Sequence, residues 1–180
     1  MWRNSESGYG LITISLHWVV AIAVIGLFTL GLWMVGLDYY DRWYRKGPEL
    51  HKGIGVLLFL VMLGRTAWRH ANPRPAPTGS NFEKRAARWV HSALYVLLFI
   101  LMLSGYLIST ADGRGIKVFG LFAVPASFSG GQIQADVAGK VHEWLAYLLI
   151  ALATLHALAA LKHHLVDRDE TLTRMLGTRR

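Results

Sequence analysis

Residues 11–35 form a run of 25 positions with no charged side chain and one readily ionisable group, His17. A helix of that length rises about 37 Å at 1.5 Å per residue, enough to cross a hydrocarbon core of about 30 Å. Three further apolar runs follow. Residues 50–68 carry only Lys52 and Arg65, near their two ends, where long cationic side chains reach the interface. Residues 89–111 are uncharged, and residues 141–161 hold His142, Glu143 and His156. Pro48 suits a helix start, and Ser80 with Glu83 fits a capping box. The expectation is an all-α integral membrane four-helix bundle, a single membrane domain over residues 1–180, with helices near 11–35, 49–69, 83–110 and 137–166. The first run is too long for a signal peptide, and no small-residue cleavage pattern follows it.

Charge gives an orientation. Twelve of the 19 Lys and Arg residues lie in the amino terminus, in the segment 65–88 and from 162 onward. The other seven are Arg42, Arg45, Lys46, Lys52, Arg114, Lys117 and Lys140. The positive-inside rule then places both termini and the Pro-rich loop 72–78 in the cytoplasm, in a bacterial inner membrane. The net charge of +8 is largely topology, because the cations sit between apolar runs; no nucleic-acid partner is expected. The connection 112–136 is Gly-rich with Phe119, Leu121, Phe122 and Phe128, as expected of a loop folded against the outer membrane surface. The absence of cysteine excludes disulfides, iron–sulfur ligation, thiolate catalysis and c-type haem attachment. Histidine is left as the main metal ligand.

His142 and His156 lie 14 positions apart, 40° short of four full turns, so both face one stripe about 21 Å apart. Helix 1 enters from the cytoplasm and puts His17 at the depth of His156. Helix 2 starts at the outer surface and puts His51 level with His142. Two stacked bis-histidine pairs, with neither cysteine nor a well-aimed carboxylate, suit two six-coordinate haems b with His17, His51, His142 and His156 as axial ligands. Glu143 points about 100° away from His142. Gly26, Gly31, Gly53, Gly55 and Gly105 offer places for a flat macrocycle to approach a backbone, although glycines also mediate plain helix packing. Arg65, 14 residues after His51, is a candidate partner for a propionate or a quinone. His163, two turns past His156, is placed for a quinone head group, as are His91 and Ser15; His70 and His164 read as solvated. A non-haem metal or proton transporter using the same histidines is the competing class, and a Soret band separates the two.

The segments Ile14-Ser15-Leu16-His17-Trp18, His51-Lys52-Gly53-Ile54-Gly55, Val141-His142-Glu143-Trp144 and Leu155-His156-Ala157 occur in this order. With the tail Ala160-Leu161-Lys162-His163-His164 and residues 169–176, the chain resembles the bacterial di-haem cytochrome b561 family. One branch of that family is described as superoxide oxidase, and cytochrome b subunits of formate dehydrogenases and hydrogenases are more distantly similar. The resemblance implies a bundle with His17 and His156 on a cytoplasmic-side haem and His51 and His142 on an outer one. It also implies electron transfer from an outer donor to ubiquinone. Superoxide is the expected donor, drawn to the outer cations, Lys52 and Arg114 above all, because electrostatic steering of an anion raises encounter rates by roughly 10- to 1,000-fold. The alternative is a cytochrome b subunit that receives electrons from a dehydrogenase or hydrogenase partner.

Overall fold

The computed structural model describes residues 1–177; Arg179 and Arg180, counted above with the termini, lie outside the described residues. Four long helices dominate: α1 (Leu11–Met34), α2 (Lys46–His70), α3 (Asn81–Thr110) and α4 (Gly131–Leu165), each long and apolar enough to span a bilayer. A two-stranded antiparallel hairpin, β1 (Ile116–Val118) and β2 (Phe122–Val124), joins α3 to α4, and a six-residue helix α5 (Thr171–Leu176) follows α4.

The apolar runs become helices because a backbone in hydrocarbon must satisfy its own hydrogen bonds. Their ends are set by local chemistry. Ser80 caps α3 by accepting from the Glu83 N–H at 3.3 Å, while Glu83 accepts from the Ser80 N–H at 2.8 Å, closing the expected capping box. The α4 helix begins at Gly131, six residues before the expected 137. In its first turns Gln134 ties α4 to α3 by donating to the Leu107 carbonyl at 2.7 Å. At 35 residues, α4 runs about 52 Å, well beyond what a bilayer core requires.

Helices α1 and α2 pack as one antiparallel pair and α3 and α4 as another. The two pairs meet in a layer of Val20, Leu58, Met62, Leu98 and Leu149, one or two residues from each helix. Outside it, large apolar side chains such as Ile22 and Ile25 are mostly exposed, as a lipid-facing surface requires. The start of α1 and the helix α5 come to one end of the bundle, the terminal end. There Trp18 donates to the Met175 carbonyl at 2.9 Å and Arg174 to the Ala76 carbonyl at 3.0 Å, laying α5 across the mouth of the bundle.

At the distal end the 112–130 connection is not a plain loop. Its hairpin turns through Phe119 (φ 51°) and Gly120 (φ 75°) and drives the Phe119 ring onto Gly53, where an added Cβ would lie 2.7 Å from Phe119 Cζ. Gly53 is thus the seat of the hairpin, not a macrocycle contact, and the hairpin is fixed beside Lys52.

Candidate cofactor site

Four histidines from three helices form two stacked pairs. On the distal side the His51 and His142 rings stand with centroids 6.1 Å apart; nearer the termini, His17 and His156 stand 6.3 Å apart. Two metal–imidazole bonds of about 2 Å each on opposite sides of a metal, with the ring radii added, ask for a centroid separation of roughly 6 Å. Both pairs meet that spacing, and the layer around Met62 and Leu149 separates them.

The surroundings of the distal pair fit an axial-ligand role. His142 Nδ1 donates to the Leu101 carbonyl at 3.0 Å, which leaves the Nε2 lone pair for a metal; such an outer partner is the usual device that fixes a ligating imidazole. The Ser104 hydroxyl lies 3.1 Å from the same Nδ1 and donates to Leu101 at 2.7 Å. Backbone approach is close on both sides. A Cβ at Gly105 would come within 3.1 Å of His142 Cε1, and one at Gly31 within 3.5 Å of His51 Cε1. The expected glycine approach therefore admits the imidazoles themselves. His51 Nδ1 is buried and has no hydrogen-bond partner among the described residues.

The pair near the termini is more crowded. Arg65 donates to His17 Nδ1 at 3.1 Å, and its guanidinium stacks 5.3 Å from the Tyr95 ring, which Arg69 also faces at 5.0 Å. A guanidinium only donates, so in this contact His17 Nδ1 accepts and Nε2 carries the proton. Ligation through Nε2 requires Arg65 to turn away toward an anion, which is the propionate role the sequence assigns it. His91 lies with its ring 5.1 Å from that of His156, inside this cluster. That spacing is too short for two imidazoles on opposite sides of one iron, so His17 is the partner whose distance fits a six-coordinate haem.

The other expected site residues are dispersed. Ser15 is exposed and makes no side-chain hydrogen bond among the described residues. His163 stands at the end of α4 between Asp167 and Asp169, each with a carboxylate oxygen 3.0 Å from Nδ1. His164 is half-buried, not solvated. At the distal surface Lys52 is half-buried beside the hairpin, with no ion-pair partner among the described residues. Arg114 is exposed, but its Nε donates to Asp112 at 2.6 Å, and the guanidinium holds that carboxyl below its ordinary range. The pair is neutral at pH 7, so Arg114 adds little to an attractive field. Sequence reasoning missed Leu101, Ser104 and Tyr95, whose roles arise from contacts between helices that no local pattern announces.

The family model for prokaryotic cytochrome b561 matches residues 8–178. The chain belongs to the prokaryotic cytochrome b561 family. It is 52% identical to cytochrome b561 homolog 2 of Escherichia coli K12, over 98% of this chain and 95% of that one. It is 27% identical to cytochrome b561 homolog 1 of the same organism, over 93% and 96% of the two chains. To the probable superoxide oxidase CybB of Yersinia pestis it is 29% identical, over 96% and 97%. The chain is therefore a bacterial membrane protein of electron transfer whose cofactor is haem b.

Proposed function

We propose that the chain holds two haems b and carries electrons from superoxide, taken at the distal end, to ubiquinone, reduced at the terminal end. In this reading the protein lies in the inner membrane with both termini in the cytoplasm. The observation that carries it is the pair of stacked histidine couples, 6.1 and 6.3 Å between ring centroids, on one bundle. His51 and His142 would hold one haem and His17 and His156 the other. Haem b, when bound, supplies reversible one-electron iron chemistry, and the protein supplies ligation, spacing and field.

Each part of the chain has a task in this scheme. Lys52 offers an uncancelled cation at the distal surface, where an anion such as superoxide is attracted. Leu101 and Ser104 orient His142. The layer of Val20, Leu58, Met62, Leu98 and Leu149 keeps water out of the space between the pairs. Arg65 supplies a positive charge for a propionate. At the terminal end His163, with His91 and Ser15 nearer the membrane interior, is where quinone would meet donors of protons. Two superoxide anions give two molecules of oxygen and two electrons; one ubiquinone takes two electrons and two protons to become ubiquinol.

Haem quantitation of the purified protein, followed by stopped-flow mixing with superoxide and then with a soluble ubiquinone analogue, tests the proposal. Two haems per chain, reduced by superoxide and reoxidised by quinone, is the expected result. The second reading is a cytochrome b subunit fed by a dehydrogenase or hydrogenase. It is favoured by the neutralised Arg114 and by Tyr39 and Tyr40, 68% and 92% exposed on the distal connection, which would suit a docking protein. Oxidised haems that superoxide leaves unreduced would decide for it.

A further inference from the structure

The first two turns of α3 carry three cations on one side. Asn81, Lys84, Arg85 and Arg88 are spaced i, i+3, i+4 and i+7, a stripe about 100° wide at 100° per residue. With Pro77 of the α2–α3 connection they line an open cleft of about 470 Å³, within the range of small-molecule sites. Its wall is held in place. The Ala76 N–H donates to the Glu6 carbonyl at 3.3 Å, and Arg174 donates to the Ala76 carbonyl at 3.0 Å. Thr78 meets Thr171 of α5 at 2.8 Å, and the Thr171 N–H donates to Asp169 at 2.8 Å.

The cations of this cleft are not neutralised within the protein. Glu83, the carboxylate on the same turn, lies about 200° around the helix from Asn81 and is taken by Lys162 at 2.7 Å and by Ser80 at 2.8 Å. Lys84, Arg85 and Arg88 form no ion pair among the described residues; Arg85 Nε donates to the Asn81 carbonyl at 3.4 Å. The same face continues into the membrane. Ser92 and Val96, about one and two turns past Arg88, are exposed, and Trp89 beside them is 77% exposed. Trp89 opens the uncharged run 89–111, the depth at which an indole marks the boundary between headgroups and acyl chains. The cations stand on the headgroup side of that boundary and the apolar face on the hydrocarbon side.

We propose that this cleft binds the headgroup of an anionic phospholipid such as phosphatidylglycerol, with Lys84, Arg85 and Arg88 on the phosphate and an acyl chain lying along Ser92 and Val96. A planar guanidinium matches two phosphate oxygens at once, and an ammonium adds a point charge. The positive-inside rule asks for cations in this connection but nothing of their angular position. Here all three converge on one stripe that runs on into a lipid-facing surface. A phosphate that carries its own acyl chain satisfies both halves of the site, whereas a soluble anion would use the cleft alone.

The test titrates the detergent-purified, haem-loaded protein with phosphatidylglycerol, phosphatidylcholine or inorganic phosphate and counts bound ligand by native mass spectrometry. Each cation near an anionic headgroup strengthens binding by roughly fivefold. Phosphatidylglycerol should therefore bind about tenfold or more tighter than phosphatidylcholine, which has the same phosphate but no net charge. The triple variant Lys84→Gln, Arg85→Gln, Arg88→Gln, with a native haem spectrum, should lose about tenfold or more of that affinity, and Arg42→Gln, Arg45→Gln, Lys46→Gln at the distal end should keep it. A second measurement needs no variant to fold. Acetylation of the wild-type lysines, read by peptide mass, should slow several-fold at Lys84 when phosphatidylglycerol is added and stay unchanged at Lys46 and Lys117. Equal affinity for the two lipids, a triple variant that binds as the wild type does, or a Lys84 that the lipid leaves unprotected overturns the proposal. Inorganic phosphate that displaces the lipid marks a site for free anions and overturns it as well, as does a glutamate-rich peptide that binds where phosphatidylglycerol does not.

Discussion

A methyl group added at Gly31 and one added at Gly105 should have opposite consequences, although both glycines face a histidine ring. At Gly31 the new Cβ would stand 3.5 Å from His51 Cε1 and 3.9 Å from Nδ1. Those are ordinary contacts, since carbon pairs attract best at about 3.5–4.0 Å. Alanine there should therefore gain the helix-propensity difference of about 0.5–1 kcal/mol. At Gly105 the distances fall to 3.1 Å and 3.3 Å from His142 Cε1 and Nδ1. The ring would have to retreat by about 0.4 Å to restore a normal contact, yet its Nδ1 is held by the Leu101 carbonyl at 3.0 Å. Overpacking of this kind costs about 1–3 kcal/mol, which exceeds the propensity gain. Gly105→Ala should thus destabilise the haem-loaded protein by about 1 kcal/mol, and Gly105→Val, with two more methyls, should break the Leu101 bond and release the distal haem. Soret-monitored thermal unfolding in detergent and pyridine haemochrome analysis read the two effects. A Gly105→Val protein with full haem content and an unshifted spectrum would show that close approach at Gly105 does not position His142.

His51→Ala and His142→Ala should each halve the haem content and leave the spectrum of the haem near the termini intact, while His17→Ala and His156→Ala should do the converse; a wild-type content near one haem per chain would sink the two-pair assignment. Lys52→Glu should slow reduction by superoxide and flatten its dependence on salt, because exposed charges act over about 8 Å at physiological ionic strength. Arg114→Gln should change that rate less than Lys52→Gln does, since Asp112 already cancels the guanidinium; equal effects would refute the pairing argument. The Asp169 carboxyl is held below its ordinary value of 3.8, so its contribution to the docking of α5 is complete above that pH and is lost as pH falls through the lowered value. Trp18 fluorescence, tied to α5 through Met175, should accordingly stay constant down to about pH 4 and change only below it; in Asp169→Asn the change should be absent.

The residues that are readable in the sequence and those that are not divide at the membrane surface, for a physical reason. Within the apolar runs the backbone has one way to satisfy its polar groups, so the 100° step per residue is imposed and spacing becomes geometry. That is why His142 and His156, 14 positions apart, read as one stripe, and why the opposed directions of α1 and α2 bring His17 and His51 to their depths. Beyond the runs, water competes for every backbone group and many conformations become available. The start of α4 at Gly131, the hairpin at 116–124 and the docking of α5 all lie there, and two of the turns that build this region pass through Phe119 and Arg168 in left-handed conformations that neither side chain announces. Arg114 shows the intermediate case: Asp112-Gly113 before it is a recognisable turn, yet counting Arg114 as a free cation required ignoring a neighbour two residues away. Asp167 and Asp169 show the limit. In sequence they are two acids in a polar tail, and only the fold back at Arg168 makes them the two carboxylates on one imidazole nitrogen.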